Sequence, residues 1–401
     1  MRICYLSKTF FQMRGGIESY TYNMARFLHK LGNEIYIITS ANNKKSHLED
    51  NCNSFHVIEI KGGDDLFPGS WRLNTKIPFI NIYYSFKVAR IINKLCKKNK
   101  IDIIESPNWL YEGICSSFNI RIPLVVRLHG HKNIAEHYIF KTLPMSFRLK
   151  AIFAQERILL RNASFITSVS SNYADLIAKC LKIERSKITT IPTGVDTDFF
   201  KPNGENVPKK NYILYVGRIE EGKGVDVLCR SIPFVLNEFP EMEFIFIGAD
   251  TSDYKQGNSY KDYLLRSILQ KFGKNAKFLG PMTHEQLVDY YQNAIICVFP
   301  SLYEPLATTA LEAMACGSPV IATKTGGFPE IINSNENGLL IEPQNHLDLA
   351  KAILHLLKDS QFRLEIGRAA VNTVKDKFSL ERMANLTLET YKNVVKIKNR
   401  N

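Results

Sequence analysis

Two carboxylates, Glu304 and Glu312, lie at the two ends of a stretch whose residue types are suited to ligand binding or catalysis. Glu304 follows the apolar run 295–299, which predicts a strand. Glu312 falls in the second turn of a helix predicted to start at Thr308 or Thr309, whose hydroxyls are expected to cap its free amides. In open parallel sheets, ligands bind beyond the carboxyl ends of the strands, where backbone N–H groups attract anions. Both carboxylates are therefore expected at the mouth of one crevice that suits an anionic ligand.

Two cations, Arg218 and Lys223, lie in a turn between a predicted strand at 212–216 and a predicted helix at 225–236. Arginine offers a fixed fork of hydrogen-bond donors, and lysine offers a mobile point charge. Two such groups at a strand-to-helix turn can neutralise a diphosphate without a bound metal. We therefore expect no metal and no cofactor at this turn.

A glycine pair, Gly15 and Gly16, joins a predicted strand at 2–7 to a predicted helix at 17–31. Glycines there let the backbone approach a ligand closely, and the helix offers free amides to an anion. The spacing is not the G-x-G-x-x-G fingerprint, which makes a dehydrogenase a poor interpretation. A simple turn is the alternative for this pair.

The chain of 401 residues is long for one core, and strands alternate with helices in both halves. Pro and Gly concentrate between 192 and 204, which predicts a hinge. We therefore expect an α/β protein with domains at 1–195 and 196–378 and a closing helix at 379–398. The predicted strands cover residues 2–7, 34–39, 55–60, 101–105, 123–128, 164–168, 187–191, 212–216, 243–247, 276–279, 295–299 and 338–341.

Positive charge is concentrated in the first half of the chain. Residues 1–195 hold 28 Lys and Arg against 14 Asp and Glu, whereas residues 196–401 hold 24 against 25. This asymmetry suggests an anionic partner for the first half, either a phospholipid surface, a phosphate-bearing acceptor or nucleic acid. The segment 134–161 mixes basic and apolar residues, which is typical of a basic amphipathic surface or of two ordinary helices with charged outer faces.

The cellular compartment is predicted from what the sequence lacks. No run of about 18 uncharged apolar residues is present, and the chain begins with a strand-like segment rather than a signal sequence. The cysteines occur singly, without zinc-ligand spacing, so we expect reduced thiols and no structural metal. We expect a cytoplasmic protein, with the inner face of the plasma membrane as a further location suggested by the basic half.

The motifs together resemble those of the retaining glycosyltransferases of family 4, also called glycosyl transferases group 1, which have the GT-B fold. The resemblance rests on Glu304, seven intervening residues and Glu312, followed by Ala-Met-Ala-Cys-Gly. It also rests on the glycine turn at 326–327 and on the G-R-x4-K-G element at 217–224. The resemblance implies two Rossmann-like, doubly wound domains that face a central cleft, with the closing helix packed back on the first.

Roles for single residues are implied by the same resemblance. Arg218 and Lys223 would bind the donor diphosphate, Glu304 the sugar hydroxyls, and Glu312 the ribose hydroxyls. His129, in a strand-ending His-Gly pair, would lie near the donor sugar, with His131 as a neighbour of unassigned role. The implied catalytic residues are His129, Arg218, Lys223 and Glu304, and the implied donor-binding residues are Gly15, Gly16, Arg218, Lys223, Glu304, Leu306, Ala307, Thr308 and Glu312.

One departure from the family pattern bears on the donor sugar. Many members have Gly where this chain has Ala307, and the missing glycine is expected to narrow the backbone choices of the turn around the sugar. The donor sugar therefore stays open at the level of the sequence.

The expected activity is metal-independent, retaining transfer of a hexosyl unit from a UDP- or GDP-sugar. The acceptor would be a glycan, a lipid-linked sugar or a small molecule, and cell-surface polysaccharide or glycolipid synthesis would be the context. A sugar-nucleotide epimerase on the same fold is the nearest alternative enzyme. A nucleic-acid-binding protein is the alternative from another class, but no helix-turn-helix, RNP or zinc pattern accompanies the basic charge.

Overall fold

The structure is a computed structural model that describes residues 1–10, 16–41, 55–60, 80–98, 100–118, 122–130, 134–141, 144–204, 209–251 and 259–398. The chain divides into two compact units. Unit 1 consists of Met1–Thr193 and Met383–Asn401, and unit 2 consists of Gly194–Arg382. The sequence prediction placed the corresponding boundaries at 195 and 378.

Unit 1 is built on a parallel sheet with strand order β3-β2-β1-β4-β5-β6-β7. Its strands are β1 (Arg2–Leu6), β2 (Glu34–Ser40), β3 (His56–Ile60), β4 (Ile103–Pro107), β5 (Leu124–Leu128), β6 (Phe165–Ser168) and β7 (Ile188–Thr190). Its helices before the boundary are α1 (Gly16–Lys30), α2 (Ile80–Lys97), α3 (Phe147–Asn162) and α4 (Ser171–Leu181). The segment predicted as two helices between 134 and 161 contains a π-helical turn, Ala135–Ile139, followed by α3.

Unit 2 is built on a second parallel sheet, with strand order β10-β9-β8-β11-β12-β13. Its strands are β8 (Tyr212–Val216), β9 (Glu243–Ile247), β10 (Ala276–Gly280), β11 (Ile296–Phe299), β12 (Val320–Thr323) and β13 (Leu339–Ile341). Its helices are α5 (Val225–Glu238), α6 (Tyr260–Ser267), α7 (His284–Asn293), α8 (Thr308–Ala315), α9 (Phe328–Ile331), α10 (His346–Lys358) and α11 (Ser360–Lys377).

Both sheets are buried because helices cover their faces. In unit 2, α5 packs against α10, whereas α8 packs against α7 and α11. Strand β8 is buried at every residue, as its uninterrupted apolar sequence predicts for a parallel strand. The predicted class of two doubly wound α/β domains is therefore confirmed.

The last helix, α12 (Leu380–Lys398), packs on unit 1 through a buried polar contact. The Tyr391 hydroxyl donates to Oε2 of Glu105 at 2.5 Å and lies 3.4 Å from the Tyr5 hydroxyl. Burial raises the pKa of Glu105, and the charge of Arg127 opposes that shift. A tyrosine donor reaching a buried carboxyl group fixes this helix more specifically than apolar packing alone would.

Within the described part of the chain, no helix is long and apolar enough to cross a membrane. The described cysteines are all free thiols, and most of them are buried. The same residues contain no group of three or more His, Cys, Asp and Glu side chains that could hold a metal ion.

Candidate functional site

Three loops of unit 2 meet at the carboxyl edge of its sheet. The basic turn (217–224) follows β8, the acidic loop (300–307) follows β11, and the glycine turn (326–327) follows β12. Strands β8, β11 and β12 are neighbours in the sheet, so the loops that leave them are neighbours too. A parallel sheet therefore brings together motifs that lie about 80 and 100 residues apart in sequence.

An ion pair connects the basic turn to the acidic loop. Nζ of Lys223 contacts Oε2 of Glu304, and both side chains are largely buried, at 20% and 17% exposure. The backbone N–H of Leu302 also donates to the carbonyl of Gly222 at 3.0 Å. The two predicted catalytic residues thus form one charged centre that is shielded from water on most sides.

Arg218 lies at the outer side of the basic turn. Its side chain is 58% exposed, and its Nη2 pairs with Oε1 of Glu220 at 2.9 Å. The hydroxyl of Tyr215, a buried residue of β8, donates to the Arg218 carbonyl at 2.7 Å and holds the turn from below. The sequence analysis singled out neither Glu220 nor Tyr215.

Close backbone contacts at glycines hold the three loops together. A Cβ added at Gly224 would lie 2.0 Å from the Pro300 carbonyl oxygen. A Cβ added at Gly326 would lie 2.0 Å from the carbonyl oxygen of Glu304, and one at Gly327 would lie 2.3 Å from that of Pro305. Gly224 and Gly326 also have φ values of +64° and +56°, which other residues adopt at a cost. Glycine at these positions allows the loops that carry Lys223 and Glu304 to approach each other closely.

Helix α8 begins directly after the acidic loop, and its N-terminus differs from the prediction. Its N-cap is Ala307, and no side chain of the described residues makes a cap hydrogen bond there. The prediction that a threonine hydroxyl caps this helix is therefore wrong, because Thr308 lies inside the first turn. The first amides of α8 lack a side-chain cap and can serve an anion, together with the positive end of the helix dipole.

Ala307 also corrects the expectation drawn from its missing glycine. Its φ of −85° and ψ of 97° are ordinary for any residue, so the alanine does not strain the turn. The side chains of Ala307 and Leu306 are buried, and Thr308 is partly exposed. The alanine methyl therefore affects the shape of the loop but does not restrict its backbone conformation.

Glu312 lies on the second turn of α8, as predicted, and it faces α7. The hydroxyl of Tyr291 donates to Oε2 of Glu312 at 3.0 Å. Burial raises the pKa of Glu312 to about 7, although the hydrogen bond from Tyr291 acts in the opposite direction. Glu312 is therefore held by α7 and does not take part in the Lys223–Glu304 ion pair.

His129 follows β5 in unit 1, and two neighbours fix its position. Its backbone N–H donates to Oδ1 of Asn108 at 3.1 Å, and its ring packs edge-on against Tyr20 at 4.7 Å. The guanidinium of Arg127 lies over the Tyr20 ring, 4.4 Å from the ring centroid. Burial, and after it the charge of Arg127, lower the pKa of His129 well below its usual value. The imidazole is therefore neutral at neutral pH and can donate or accept a hydrogen bond.

Asn108 is itself held by a buried carboxyl group. Its Nδ2 donates to Oε1 of Glu156 at 2.8 Å, and Oε2 of Glu156 has no hydrogen-bond partner among the described residues. Burial raises the pKa of Glu156 to about 8. Glu156 is therefore largely protonated at neutral pH and supports the loop of His129 as a neutral group.

We expect Glu156→Gln to flatten the pH dependence of stability. The folded protein keeps the Glu156 proton up to about pH 8, whereas the unfolded chain loses it near the ordinary value of 4.5. Stability contributed by this group is thus fully present below pH 4.5 and is lost as the pH rises to 8, with a slope of up to about 1.4 kcal/mol per pH unit. Denaturant unfolding at pH 5, 6.5 and 8 measures that slope. Glu184→Gln, an exposed partner of Lys187, is the control, and equal slopes in the two variants would contradict the assignment.

Gly15 and His131, two residues of the sequence prediction, lie outside the described residues. Gly16 is the first residue of α1, is exposed, and would have open space around an added Cβ. Tyr291 and Asn108, which hold Glu312 and His129, were not identified from the sequence. The periodicity of the sequence predicts that Tyr291 is buried on a helix and that Asn108 follows a strand. It does not predict which residue either side chain contacts.

Two sequence families match the chain, one over each part of it. Residues 14–199 match the sequence family described as Glycosyltransferase Family 4, and residues 196–373 match the one described as Glycosyl transferases group 1. A D-inositol 3-phosphate glycosyltransferase of Corynebacterium aurimucosum is 27% identical over 378 residues, which cover 89% of this chain and 86% of that protein.

Solved structures resemble both units over nearly their whole length. Sucrose-phosphate synthase from Thermosynechococcus elongatus has a TM-score of 0.80 at 22% identity and covers 98% of this chain and 99% of its own. Anabaena HepE, solved in complex with UDP-glucose, has a TM-score of 0.73 at 20% identity and covers 98% and 99%. These likenesses show the fold, and the GT-B class expected from the sequence is confirmed.

Proposed function

Because the chain belongs to the glycosyltransferases of family 4 and group 1, we propose that it transfers a hexosyl unit from a nucleotide-diphosphate sugar to an acceptor hydroxyl. The transfer retains the anomeric configuration and requires no metal ion. The acceptor is a glycan, a lipid-linked sugar or a small molecule of cell-surface polysaccharide or glycolipid synthesis. The observation that supports the proposal is the largely buried ion pair between Lys223 of the basic turn and Glu304 of the acidic loop.

The basic turn supplies the charge that the leaving group needs. A nucleoside diphosphate gains negative charge as the glycosidic bond breaks, and fixed positive groups in a site shielded from water stabilise that charge most strongly. Lys223 is the largely buried cation, and Arg218 is the exposed one that can turn toward a diphosphate. The uncapped first amides of α8 add a third source of positive potential.

The carboxylates of unit 2 serve the sugar and the nucleoside. Glu304 accepts hydrogen bonds from the sugar hydroxyls, and Glu312 accepts them from the ribose. Within unit 1, His129 offers a neutral imidazole that can bind a hydroxyl group. The acceptor attacks from the side on which the diphosphate leaves, and a phosphate oxygen takes the hydroxyl proton. In this scheme neither carboxylate forms a covalent intermediate.

Thermal unfolding against UDP-, GDP- and ADP-sugars in the presence of EDTA tests the proposal. UDP-glucose comes first because a structural neighbour, HepE, was solved with it. A ligand present at a hundred times its dissociation constant stabilises the folded protein by about 2.7 kcal/mol, which raises the melting temperature by a few degrees. We expect one nucleotide series to stabilise the wild type and to lose that effect in Arg218→Ala and Glu312→Ala. Stabilisation that appears only when a divalent metal replaces EDTA would contradict the metal-independent site.

We further propose that unit 1 contacts an anionic membrane through the outer face of α3. Residues 147, 150, 154, 158 and 161 of this helix are exposed, and their spacing places them on one face. Phe147 is 79% exposed at one end of that face, and Lys150 and Arg161 supply positive charge. Basic residues beside exposed aromatic and aliphatic ones favour the surface of an anionic bilayer.

Sedimentation with vesicles of phosphatidylglycerol measures this contact directly. Each basic residue near such a surface contributes about 1 kcal/mol, so we expect Lys150→Ala with Arg161→Ala to weaken partitioning about 30-fold at low salt. Lys182→Ala with Lys187→Ala, which alters exposed basic residues after α4, is the control pair. Equal partitioning onto phosphatidylcholine, or equal loss in both pairs, would rule out this face while leaving the transferase proposal intact.

A further inference from the structure

A histidine that no motif includes lies beside Glu312. His284 is the first residue of α7, and its Nε2 is 4.0 Å from Oε1 of Glu312. The other carboxylate oxygen is already occupied, since Oε2 accepts the hydrogen bond from Tyr291. The histidine therefore stands opposite the oxygen that remains available.

The surroundings fix the position of this histidine. Thr283 and Gln286 form a capping box that sets the first turn of α7. The edge of the His284 ring packs against Phe200 at 5.9 Å, and the same phenylalanine packs against Tyr291 at 6.2 Å. One aromatic side chain thus orients both residues that flank the carboxyl group.

The distance between the two polar atoms is informative. A separation of 4.0 Å is too long for a direct hydrogen bond, so His284 and Glu312 do not satisfy each other. A single hydroxyl oxygen placed about 2.8 Å from each atom would fit between them. It would donate its proton to the carboxylate and accept the imidazole N–H, which are the two functions that a hydroxyl group has.

The location and exposure favour a ligand hydroxyl for this position. The side chain of Glu312 is 10% exposed, whereas that of His284 is 43% exposed, so the gap lies on the solvent side of the carboxylate. Helix α7 follows β10 and α8 follows β11, so the N-termini of both helices lie at the carboxyl edge of the parallel sheet, where the three loops also meet.

We propose that His284 is a nucleoside-binding residue that, together with Glu312, holds one ribose hydroxyl of the sugar-nucleotide donor. The inference rests on the proposed function and adds to it a residue outside the family motifs. Two polar groups that converge on one hydroxyl favour ribonucleotides over their deoxy counterparts. They do so by leaving a buried acceptor and a donor unpaired when the hydroxyl is missing.

Calorimetric titration at pH 8 with UDP, GDP and their 2′-deoxy and 3′-deoxy forms tests the inference without an acceptor. His284→Phe keeps an aromatic ring against Phe200 and removes only the polar nitrogen atoms. We expect this variant to bind the ribonucleotide about 5- to 10-fold more weakly, the usual size of one lost hydrogen bond. The deoxy nucleotide that lacks the hydroxyl held by His284 should bind to the variant and to the wild type with equal affinity.

His355→Phe is the matched control, because that histidine also packs on a phenylalanine, Phe362, at 5.1 Å in the same unit. An equal weakening of all nucleotides by His284→Phe would overturn the inference, since a purely structural role has that result. Unchanged binding in the variant would overturn it as well. If the wild type binds no nucleoside diphosphate at all, the proposed donor site falls and the inference falls with it.

Discussion

Lys223→Ala should lower the rate of donor cleavage about 100- to 1000-fold, the usual effect of removing one fixed donor that stabilises developing negative charge. The effect is large because Lys223 is the largely buried cation of the basic turn and has a partner in Glu304. The measurement is release of the nucleoside diphosphate from whichever nucleotide sugar stabilises the wild type. Hydrolysis without an acceptor suffices for the comparison.

A matched control separates catalysis from the loss of an ion pair. Lys277 pairs with Glu243 at 2.5 Å in the same unit, but both side chains are more than 40% exposed. Lys277→Ala should leave donor cleavage unchanged, because an exposed ion pair contributes little to stability. Removing Lys223 also leaves Glu304 largely buried without its cation, so melting temperatures must accompany the rates. A Lys223→Ala variant that melts like the wild type and still cleaves the donor at the wild-type rate would disprove the role of this lysine.

Each cation of the basic turn has a carboxylate partner within unit 2. Lys223 pairs with Glu304, and Arg218 pairs with Glu220. A diphosphate bound as proposed would compete with a carboxylate for each cation, and the two ion pairs differ in exposure. Arg218 is exposed and its ion pair is weak, so it can exchange partners at little cost. Lys223 is shielded, and Glu304 would gain freedom to bind sugar hydroxyls if a phosphate attracted the lysine.

Much of the fold could be predicted from the sequence because its strands are buried on both faces. Such a strand is mainly apolar. The strand at 212–216 is apolar throughout, the strand at 243–247 is apolar after Glu243, and both were predicted with the bounds that the structure has. The site motifs follow such strands directly, so predicting the strands also located the basic turn and the acidic loop. Sheet order then places β8 beside β11, which accounts for the meeting of Lys223 and Glu304.

The parts of the site that could not be predicted depend on side-chain direction. A charged side chain in a turn can point to either side of the loop. The sequence therefore does not show that Arg218 pairs with Glu220. The periodicity of α7 shows that Tyr291 is buried, but the hydroxyl contact to Glu312 depends on how two helices cross. The threonine cap failed for a similar reason, because a shift of one residue in the start of α8 turns a capping residue into a helical one.

Gly326→Ala should disrupt the site more than any other change of a single methyl group in the glycine turn. The added Cβ would lie 2.0 Å from the Glu304 carbonyl oxygen, so the acidic loop has to move. The φ of +56° costs an alanine about 1–2 kcal/mol, and the overlap adds about 1–3 kcal/mol. Displacing a catalytic loop by about 1 Å can cost 100-fold in rate. We therefore expect a lower melting temperature together with about 100-fold slower donor cleavage.

Gly317→Ala provides the comparison that isolates the overlap from the backbone cost. Its φ of +74° is equally unfavourable for alanine, but the nearest atom to an added Cβ is a side-chain carbon of Pro202 at an ordinary 3.4 Å. This variant should lose only the backbone contribution to stability and should cleave the donor at the wild-type rate. If both variants lose the same stability and keep the same activity, the glycine turn does not position Glu304. If only Gly326→Ala loses activity, the close contact between the two loops is what holds the carboxylate against Lys223.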